Sequence, residues 1–243
     1  MVVYPWHAMK KMPAAILVVI LLSASGSSNG SEPEASGFVY ARIRYHMMPG
    51  RFNRELPWHH DYPYGDEMFP DFVQRVTKVH TTRESYRIVD IDSKDLFKFP
   101  FAYLCEPGYL DLQPNDVLNL KEYLDRGGFI MVDDFRGGRD FQNLRFQLKK
   151  LYPDRELVPL DITNEIFHTF YDIDSLQYPP PYGYEPIEFW ALTDEKGNVQ
   201  MVVNYNNDLS EMWEWLDRGE ASMHDAVTSL ELGANYLIYA MSH

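Results

Sequence analysis

Residues 123–135 read YLDRGGFIMVDDF, so that the end of a helix, a glycine pair and a wholly apolar run follow one another. Pro114 begins the helix, and the apolar residues after it recur at helical spacing. Gly127 and Gly128 end the helix, and Phe129–Val132 then continues without a polar residue. A short strand that is apolar on both sides is typical of a parallel sheet with helices on both faces. The segment therefore predicts an α/β fold.

The rest of the chain alternates strand-like and helix-like patterns. The strand patterns cover residues 38–45, 86–91, 101–105, 129–132, 157–160, 189–192 and 199–205. Besides the helix that begins at Pro114, helical patterns cover residues 69–79, 141–151 and 227–241. This order predicts an open, mostly parallel sheet with an added C-terminal β-hairpin and a last helix. We expect the strands at 38–45 and 129–132 to be neighbouring inner strands.

The first 25 residues have the layout of a secretory signal peptide. Lys10 and Lys11 precede an apolar run over residues 14–22, and small residues follow it. The run is too short to span a bilayer, and an uncleaved membrane tether is the alternative. Residues 26–37 are rich in Ser, Gly, Glu and Pro and predict a flexible spacer before one folded domain over residues 38–243. We expect an exported protein, periplasmic or extracellular, with no membrane span once the signal is removed.

The composition argues against several partners and chemistries. The chain carries 36 acidic and 22 basic residues, a net charge of −14, which opposes binding to nucleic acid. Cys105 is the only cysteine, so an intramolecular disulfide is impossible, and we interpret this thiol as a buried bystander. The predicted folded domain, residues 38–243, has no Gly-x-Ser-x-Gly elbow, phosphate-binding glycine loop or dinucleotide fingerprint. No organic cofactor is therefore indicated, and a divalent cation is the remaining candidate.

Five charged residues lie near the ends of three predicted strands, where ligands of open α/β sheets bind. Arg42 and Arg44 belong to the first strand, and Glu106 follows the third. Asp133 and Asp134 follow the apolar strand and are costly to desolvate unless they are paired, metal-bound or catalytic. We therefore treat both aspartates as candidate catalytic residues and, with Glu106, as candidate metal ligands. The alternative is that one aspartate caps the following turn and pairs with an arginine, while the arginines and Glu106 remain ligand-binding candidates.

Two histidine-containing segments offer further candidates. Trp58 and Asp61 belong to a WHHD loop at residues 58–61, which suits ligand binding, although its spacing matches no metal motif of fixed geometry. A surface or lid loop is the alternative for this segment. His168 lies among apolar residues and is a candidate catalytic base, or else a core or interface histidine.

Polar and aromatic residues after the last predicted strand form another candidate group. Asn204, Asn206 and Asp208 have oxygen atoms that suit sugar hydroxyls or Ca²⁺, and turn chemistry explains the same residues. Trp213, near Trp215, is either an aromatic platform for a sugar or peptide or an apolar anchor for a short acidic helix.

Six segments of the chain are similar to those of one bacterial family. They are ARIRY at 41–45, YLDRGGFIMVDDF at 123–135, EIFH at 165–168, NYNND at 204–208 with WEW at 213–215, and LGANYLIYAMSH at 232–243. Together they resemble the exported domain of unknown function 4159 family over residues 38–243. The resemblance implies a flavodoxin-like, class I glutamine amidotransferase-like fold. Active amidotransferases have a cysteine at the elbow where this chain has Asp133 and Asp134, and a carboxylate cannot form their thioester.

Two functions follow from these observations. The first is a non-catalytic binding domain of the cell envelope whose crevice takes a small polar ligand, a glycan or a segment of an envelope protein. The second is a metal-assisted hydrolase in which Asp133, Asp134 and Glu106 hold the cation, with His168 or His60 transferring protons.

Overall fold

The computed structural model describes residues 37–50, 56–177, 183, 185–215, 218–219 and 222–243. The signal peptide predicted over residues 1–25 and nearly all of the spacer predicted over 26–37 lie outside the described residues. Within these ranges, no helix is both long enough and apolar enough to cross a membrane.

Strands and helices alternate along the described chain as the sequence predicts. The strands are β1 (Tyr40–Arg44), β2 (Tyr86–Asp90), β3 (Phe101–Cys105), β4 (Phe129–Asp133), β5 (Val158–Pro159), β6 (Glu188–Thr193) and β7 (Val199–Tyr205). The helices are α1 (Tyr64–Val76), α2 (Pro114–Asp125), α3 (Gly137–Leu151), α4 (Leu209–Trp215) and α5 (Met223–Ser242). Short 3₁₀ helices cover Pro57–His59, Lys94–Lys98, Pro107–Tyr109 and Glu165–Phe167.

The described strands form one sheet of seven in the order β2-β1-β3-β4-β7-β6-β5. The first five in this order pair in parallel, and β6 pairs antiparallel with both β7 and β5. The mostly parallel, flavodoxin-like α/β fold and the late hairpin are therefore confirmed. The hairpin extends the main sheet, because β7 pairs directly with β4. The expectation that β1 and β4 are neighbours is wrong, since β3 lies between them.

Helices cover both faces of the sheet. Because successive strand residues point to opposite sides, each central strand contributes to a buried cluster on each face. In β4, Ile130 and Val132 belong to one buried cluster, which also contains the apolar residues of α2 and α3. Phe129 and Met131 belong to the other, which contains those of α1, α4 and α5. The uninterrupted apolar run of this strand thus reflects burial on both faces.

The chain changes direction between β1 and β3. From β1 it passes through α1 to β2 on one side, and it then returns to place β3 and β4 on the other. At such a switch point the loops that leave the carboxyl ends of the two central strands diverge and leave a crevice. The loops after β1, β3, β4 and β7 therefore meet at this edge of the sheet.

Candidate functional site

A crevice of about 380 Å³ opens at this edge of the sheet. Its lining residues come from the loops after β1, β3 and β4 and from the first turns of α3 and α4. They are His60, Glu106, Tyr109, Asp134, Phe135, Arg136, Asp140 and Glu211. A larger cavity of about 560 Å³ lies at the opposite edge, beside Gly127, Gly128 and Val199. We assign the site to the smaller crevice because titratable groups converge there at the switch point of the fold.

Three acidic residues at the crevice have left-handed backbone conformations. Their φ angles are 59° for Asp61, 45° for Glu106 and 53° for Asp134. Asn206, with φ 58°, is the fourth non-glycine residue of positive φ among the described residues. Each such residue costs roughly 1–3 kcal/mol, and strained residues cluster at functional sites. Glu106 is the most informative, because a long side chain tolerates this region less well than Asp or Asn does.

One imidazole and three carboxylates approach one another beside the crevice. His60, Asp61, Asp134 and Asp208 each offer one ligand atom, and these atoms all lie within 4.8 Å of one another. His60 Nδ1 lies 2.7 Å from Asp134 Oδ2 and 3.6 Å from Asp61 Oδ1. Carboxylate oxygens and imidazole nitrogens are the usual protein ligands of Mn²⁺ and Zn²⁺. The four residues can therefore hold a metal ion, and we call them the His60 cluster.

A second group of carboxylates adjoins the His60 cluster. Asp61, Glu211 and Glu214 also offer ligand atoms within 4.8 Å of one another. Ser210 donates a hydrogen bond of 2.8 Å from its Oγ to Asp61 Oδ2. Asp61 thus belongs to both groups, and the loop after β1 is tied to the beginning of α4.

Burial and mutual repulsion change the ionisation of the crevice. Burial, together with the nearby charge of Asp134, raises the pKa of Glu106 to about 8. Burial and a hydrogen bond with Asp61 raise the pKa of Glu211 to about 8. Burial, followed by repulsion from Asp134, also raises the pKa of Asp208 well above its ordinary value. The hydrogen bond to Asp134 raises the pKa of His60 to about 10. The crevice therefore holds protons that a cation can displace.

Asp133 points away from the crevice, although the sequence predicts that both aspartates are site residues. Its buried carboxylate accepts hydrogen bonds from the backbone N–H groups of Leu209 (2.8 Å) and Ser210 (3.1 Å) and from Asn204 Nδ2 (3.1 Å). Asn204 Oδ1 accepts a further bond of 3.1 Å from the hydroxyl of Tyr236. Burial, and then the charge of Asp134, raises the pKa of Asp133 to about 7. Asp133 and Asn204 therefore anchor α4, and of the adjacent aspartates only Asp134 lines the crevice.

The two arginines predicted at the site also lie elsewhere. Arg42 is 1% exposed and forms an ion pair of 2.8 Å with Asp66 beneath the crevice. Arg44 is half-exposed and pairs with Asp90 at the β2 side of the sheet. Trp58 is buried and lies in the 3₁₀ helix that precedes His60. Neither arginine nor Trp58 is among the lining residues, so the crevice is more acidic than the sequence suggests.

Of the candidates that follow the last predicted strand, Asp208 lies at the site and Asn206 does not. Asp208 is fully buried beside Asp134, where its Oδ1 also accepts from Glu211 N at 2.9 Å. Asn206 joins two other segments: its Oδ1 accepts from Gly137 N and its Nδ2 donates to Pro186 O, both at 2.9 Å. Of these residues only Asp208 therefore belongs to the His60 cluster.

Neither Trp213 nor His168 lines the crevice. Trp213 is 2% exposed and stacks on Phe69 with ring centroids 4.5 Å apart, so it anchors α4 to the body of the domain. His168 bonds to the Asp172 carboxylate and to the carbonyl oxygen of Ile162. His60 is thus the histidine at the crevice.

Five lining residues are absent from the sequence-based candidates: Tyr109, Phe135, Arg136, Asp140 and Glu211. Glu211 follows Asp208 by three residues, a spacing typical of a helix beginning, which indicates a structural role and hides a site role. Asp140 lies in the first turn of α3, next to Gly108, where an added Cβ would lie 2.3 Å from Asp140 Cγ. Only the folded chain brings these residues to Glu106.

The family model described as "Domain of unknown function (DUF4159)" matches residues 39–241, which include every strand and nearly all of the last helix. No curated protein matches the chain.

Proposed function

The chain belongs to the DUF4159 family, and we propose that it is a binding domain whose crevice holds a divalent cation and, through that cation, a small polar ligand such as a glycan. The main support for this proposal is the His60 cluster, in which one nitrogen and three oxygen ligand atoms lie within 4.8 Å of one another. A cation at the centre of such a group contacts every ligand at once. We further propose that the protein is exported, as its first 25 residues predict.

Electrostatics supports a cation in preference to an anion. Carboxylates outnumber basic groups in the crevice lining, and burial and nearby carboxyl groups raise the pKa values of Glu106, Glu211 and the adjoining Asp208. A bound divalent cation reverses that penalty, because it stabilises the ionised carboxylates around it. The mixture of one imidazole with carboxylates favours Mn²⁺ or Zn²⁺ over Ca²⁺, which prefers oxygen ligands alone.

The resemblance to amidotransferases fits a binding role. Asp134 lies in the sharp turn between β4 and α3, with φ 53°, which is the elbow where the resemblance implies a cysteine. Cys105 offers no substitute, because burial raises the pKa of its thiol well above the ordinary value and keeps it protonated. We propose that an amidotransferase-like crevice has here exchanged thiolate chemistry for cation binding.

Calorimetric titration of the chelator-treated protein with Mn²⁺ and Zn²⁺ tests the proposal. We expect uptake of one equivalent, with Asp134→Asn lowering the affinity at least about 10-fold because it removes a ligand and the partner of His60. Asp90→Asn is the matched control, since Asp90 pairs with Arg44 on the surface, and it should bind as the unchanged protein does. Absence of uptake, or equal affinities in the two variants, would contradict the proposal.

Glu106 and Glu211 favour metal-assisted hydrolysis as a second candidate function. Both line the crevice, and both have pKa values of about 8, so each can exchange a proton with a cation-bound water near neutral pH. Of the residues that the sequence predicts for this hydrolase, His60, Asp134 and Glu106 are kept in this proposal, and Asp133 and His168 are not. Turnover of ester, amide or glycoside substrates that Glu106→Gln abolishes while Mn²⁺ binding persists would support it. Binding without turnover leaves the non-catalytic proposal.

A further inference from the structure

Arg42 is a fully buried cation with a complete set of partners. Its Nε lies 3.0 and 2.9 Å from the two carboxylate oxygens of Asp66, and a second ion-pair contact of 2.8 Å joins the same groups. The hydroxyl of Tyr40 donates to Asp66 Oδ1 at 2.8 Å. One half of the guanidinium thus ties β1 to α1, and the charge of Arg42 is neutralised inside the protein.

The other half of the same guanidinium faces the loop that carries the His60 cluster. Arg42 Nη1 donates to the carbonyl oxygens of Trp58 and His60, both at 3.0 Å, and to Cys105 Sγ at 3.2 Å. Cys105 Sγ in turn donates to the carbonyl oxygen of Pro57 at 3.2 Å. Three carbonyl groups in the segment 57–60 are therefore held from below, those of Trp58 and His60 by charge-assisted bonds from Arg42.

From these contacts we infer that Arg42 is the positioning residue of the crevice: it fixes the loop that places the His60 imidazole against Asp134. This inference deepens the proposed function and rests on it for the role of the site, although the His60–Asp134 contact is measurable without a cation. Arg42 does not touch the crevice, so its influence passes through the carbonyl groups of Trp58 and His60.

Lysine cannot replace this arrangement. A guanidinium presents five N–H donors in a rigid plane, so one side chain can hold a carboxylate on one edge and two carbonyls on another. An ammonium is a single point of charge, and when it pairs with Asp66 it leaves the carbonyls of Trp58 and His60 without their donor. Arg42→Lys therefore keeps the charge of the buried pair and removes the hold on the loop.

Proton NMR of the imidazole N–H of His60 in the cation-free protein tests the inference. The unchanged protein should show a slowly exchanging, downfield Nδ1–H signal from the bond to Asp134, assigned by its loss in His60→Ala. Arg42→Lys should lose that signal, whereas Arg145→Lys, which alters an exposed pair with Glu156, should keep it. Persistence of the signal in a folded Arg42→Lys protein overturns the inference.

Mn²⁺ affinity separates this inference from the proposed function. If the unchanged protein binds Mn²⁺, Arg42→Lys should weaken binding about 10-fold to 100-fold, as loss of a group that orients a ligand does. His60→Ala should then add little in the Arg42→Lys background, because the imidazole is already displaced. A large additional loss of Mn²⁺ affinity in the double variant would overturn the inference that Arg42 positions His60. Failure of the unchanged protein to bind Mn²⁺ defeats the proposed function, while the NMR comparison still decides the role of Arg42.

If Arg42→Lys does not fold, hydrogen exchange of the unchanged protein tests the inference instead. In the unchanged protein at low urea, the Nη protons of Arg42 and the imidazole proton of His60 should exchange through the same opening, because one cannot separate without the other. Exchange of the His60 proton through an easier opening that leaves Arg42 protected would contradict the inference.

Discussion

Replacing Glu106 by glutamine should stabilise the protein at alkaline pH. The carboxyl group is half-buried in the crevice, with Asp134 nearby, and its pKa is raised from 4.5 to about 8. Because the folded state binds this proton more tightly than the unfolded state, ionisation of Glu106 opposes folding. The penalty is absent below about pH 4.5, grows as the pH rises through the interval to about 8, and is complete above it. Glutamine has the same shape and never ionises.

The size of the effect follows from the same values. One pKa unit corresponds to about 1.4 kcal/mol, so the full difference would be about 5 kcal/mol for a group shielded from water. Glu106 faces an open crevice, where solvent screens its charge, and we expect about 2 kcal/mol to remain. For a domain of this size, that gain corresponds to a rise in Tm of about 4–8 °C at about pH 9.

Thermal unfolding followed by circular dichroism, with chelator present and from about pH 4.5 to about pH 9, measures the difference. The Tm of Glu106→Gln should equal that of the unchanged protein at the acidic limit and exceed it increasingly toward alkaline pH. Glu84→Gln, at an exposed position, is the control and should follow the unchanged protein throughout. Addition of Mn²⁺ should narrow the gap, because a nearby cation favours the ionised carboxylate. If the Tm difference between Glu106→Gln and the unchanged protein is the same at all pH values, ionisation of Glu106 does not oppose folding.

Three other outcomes follow from the structure. Asp133→Asn should lower the free energy of unfolding by about 1–3 kcal/mol in urea titration, because an amide has one acceptor oxygen and cannot accept from the N–H groups of Leu209 and Ser210 at one position and from Asn204 Nδ2 at the other. Trp213→Ala should lower it by about 3–5 kcal/mol in the same titration yet leave Mn²⁺ affinity within about 2-fold, because the ring packs on Phe69 away from the crevice. Mn²⁺ binding should release protons, since the pKa of Asp208 is raised, and the calorimetric enthalpy should then depend on the ionisation heat of the buffer.

The fold is readable from the sequence because burial leaves a periodic signature. The apolar run Phe129–Val132 predicts a strand covered on both faces, and the structure places alternate residues of this strand in two separate cores. The position of β3 between β1 and β4 is not readable, because pattern alone does not specify which parallel strands are neighbours.

The candidate site is readable only in part. The edge of the sheet is predictable, and so are Glu106 and Asp134 as residues at the strand ends. Asp133 follows the alternation of its strand and falls on the face of Phe129 and Met131, under α4, whereas the positive φ of Asp134 turns its side chain toward the crevice.

Long-range contacts account for the rest. Ser210 and Asp61 are 149 residues apart in sequence, yet they share a hydrogen bond. The same contact between the beginning of α4 and the loop after β1 brings Glu211 to the crevice. No local pattern encodes that contact. Glu211 has the residue type and spacing of an ordinary helix beginning, so its role at the crevice is visible only when the loop after β7 meets the loop after β1.

Anomalous diffraction from crystals soaked in Mn²⁺ locates a bound cation without reference to activity, and so shows whether the His60 cluster is the cation site. We predict one strong peak within bonding distance of a ring nitrogen of His60 and of carboxylate oxygens of Asp61, Asp134 and Asp208. A peak bound only by Asp61, Glu211 and Glu214, or no peak in the crevice under saturating Mn²⁺, would contradict the account.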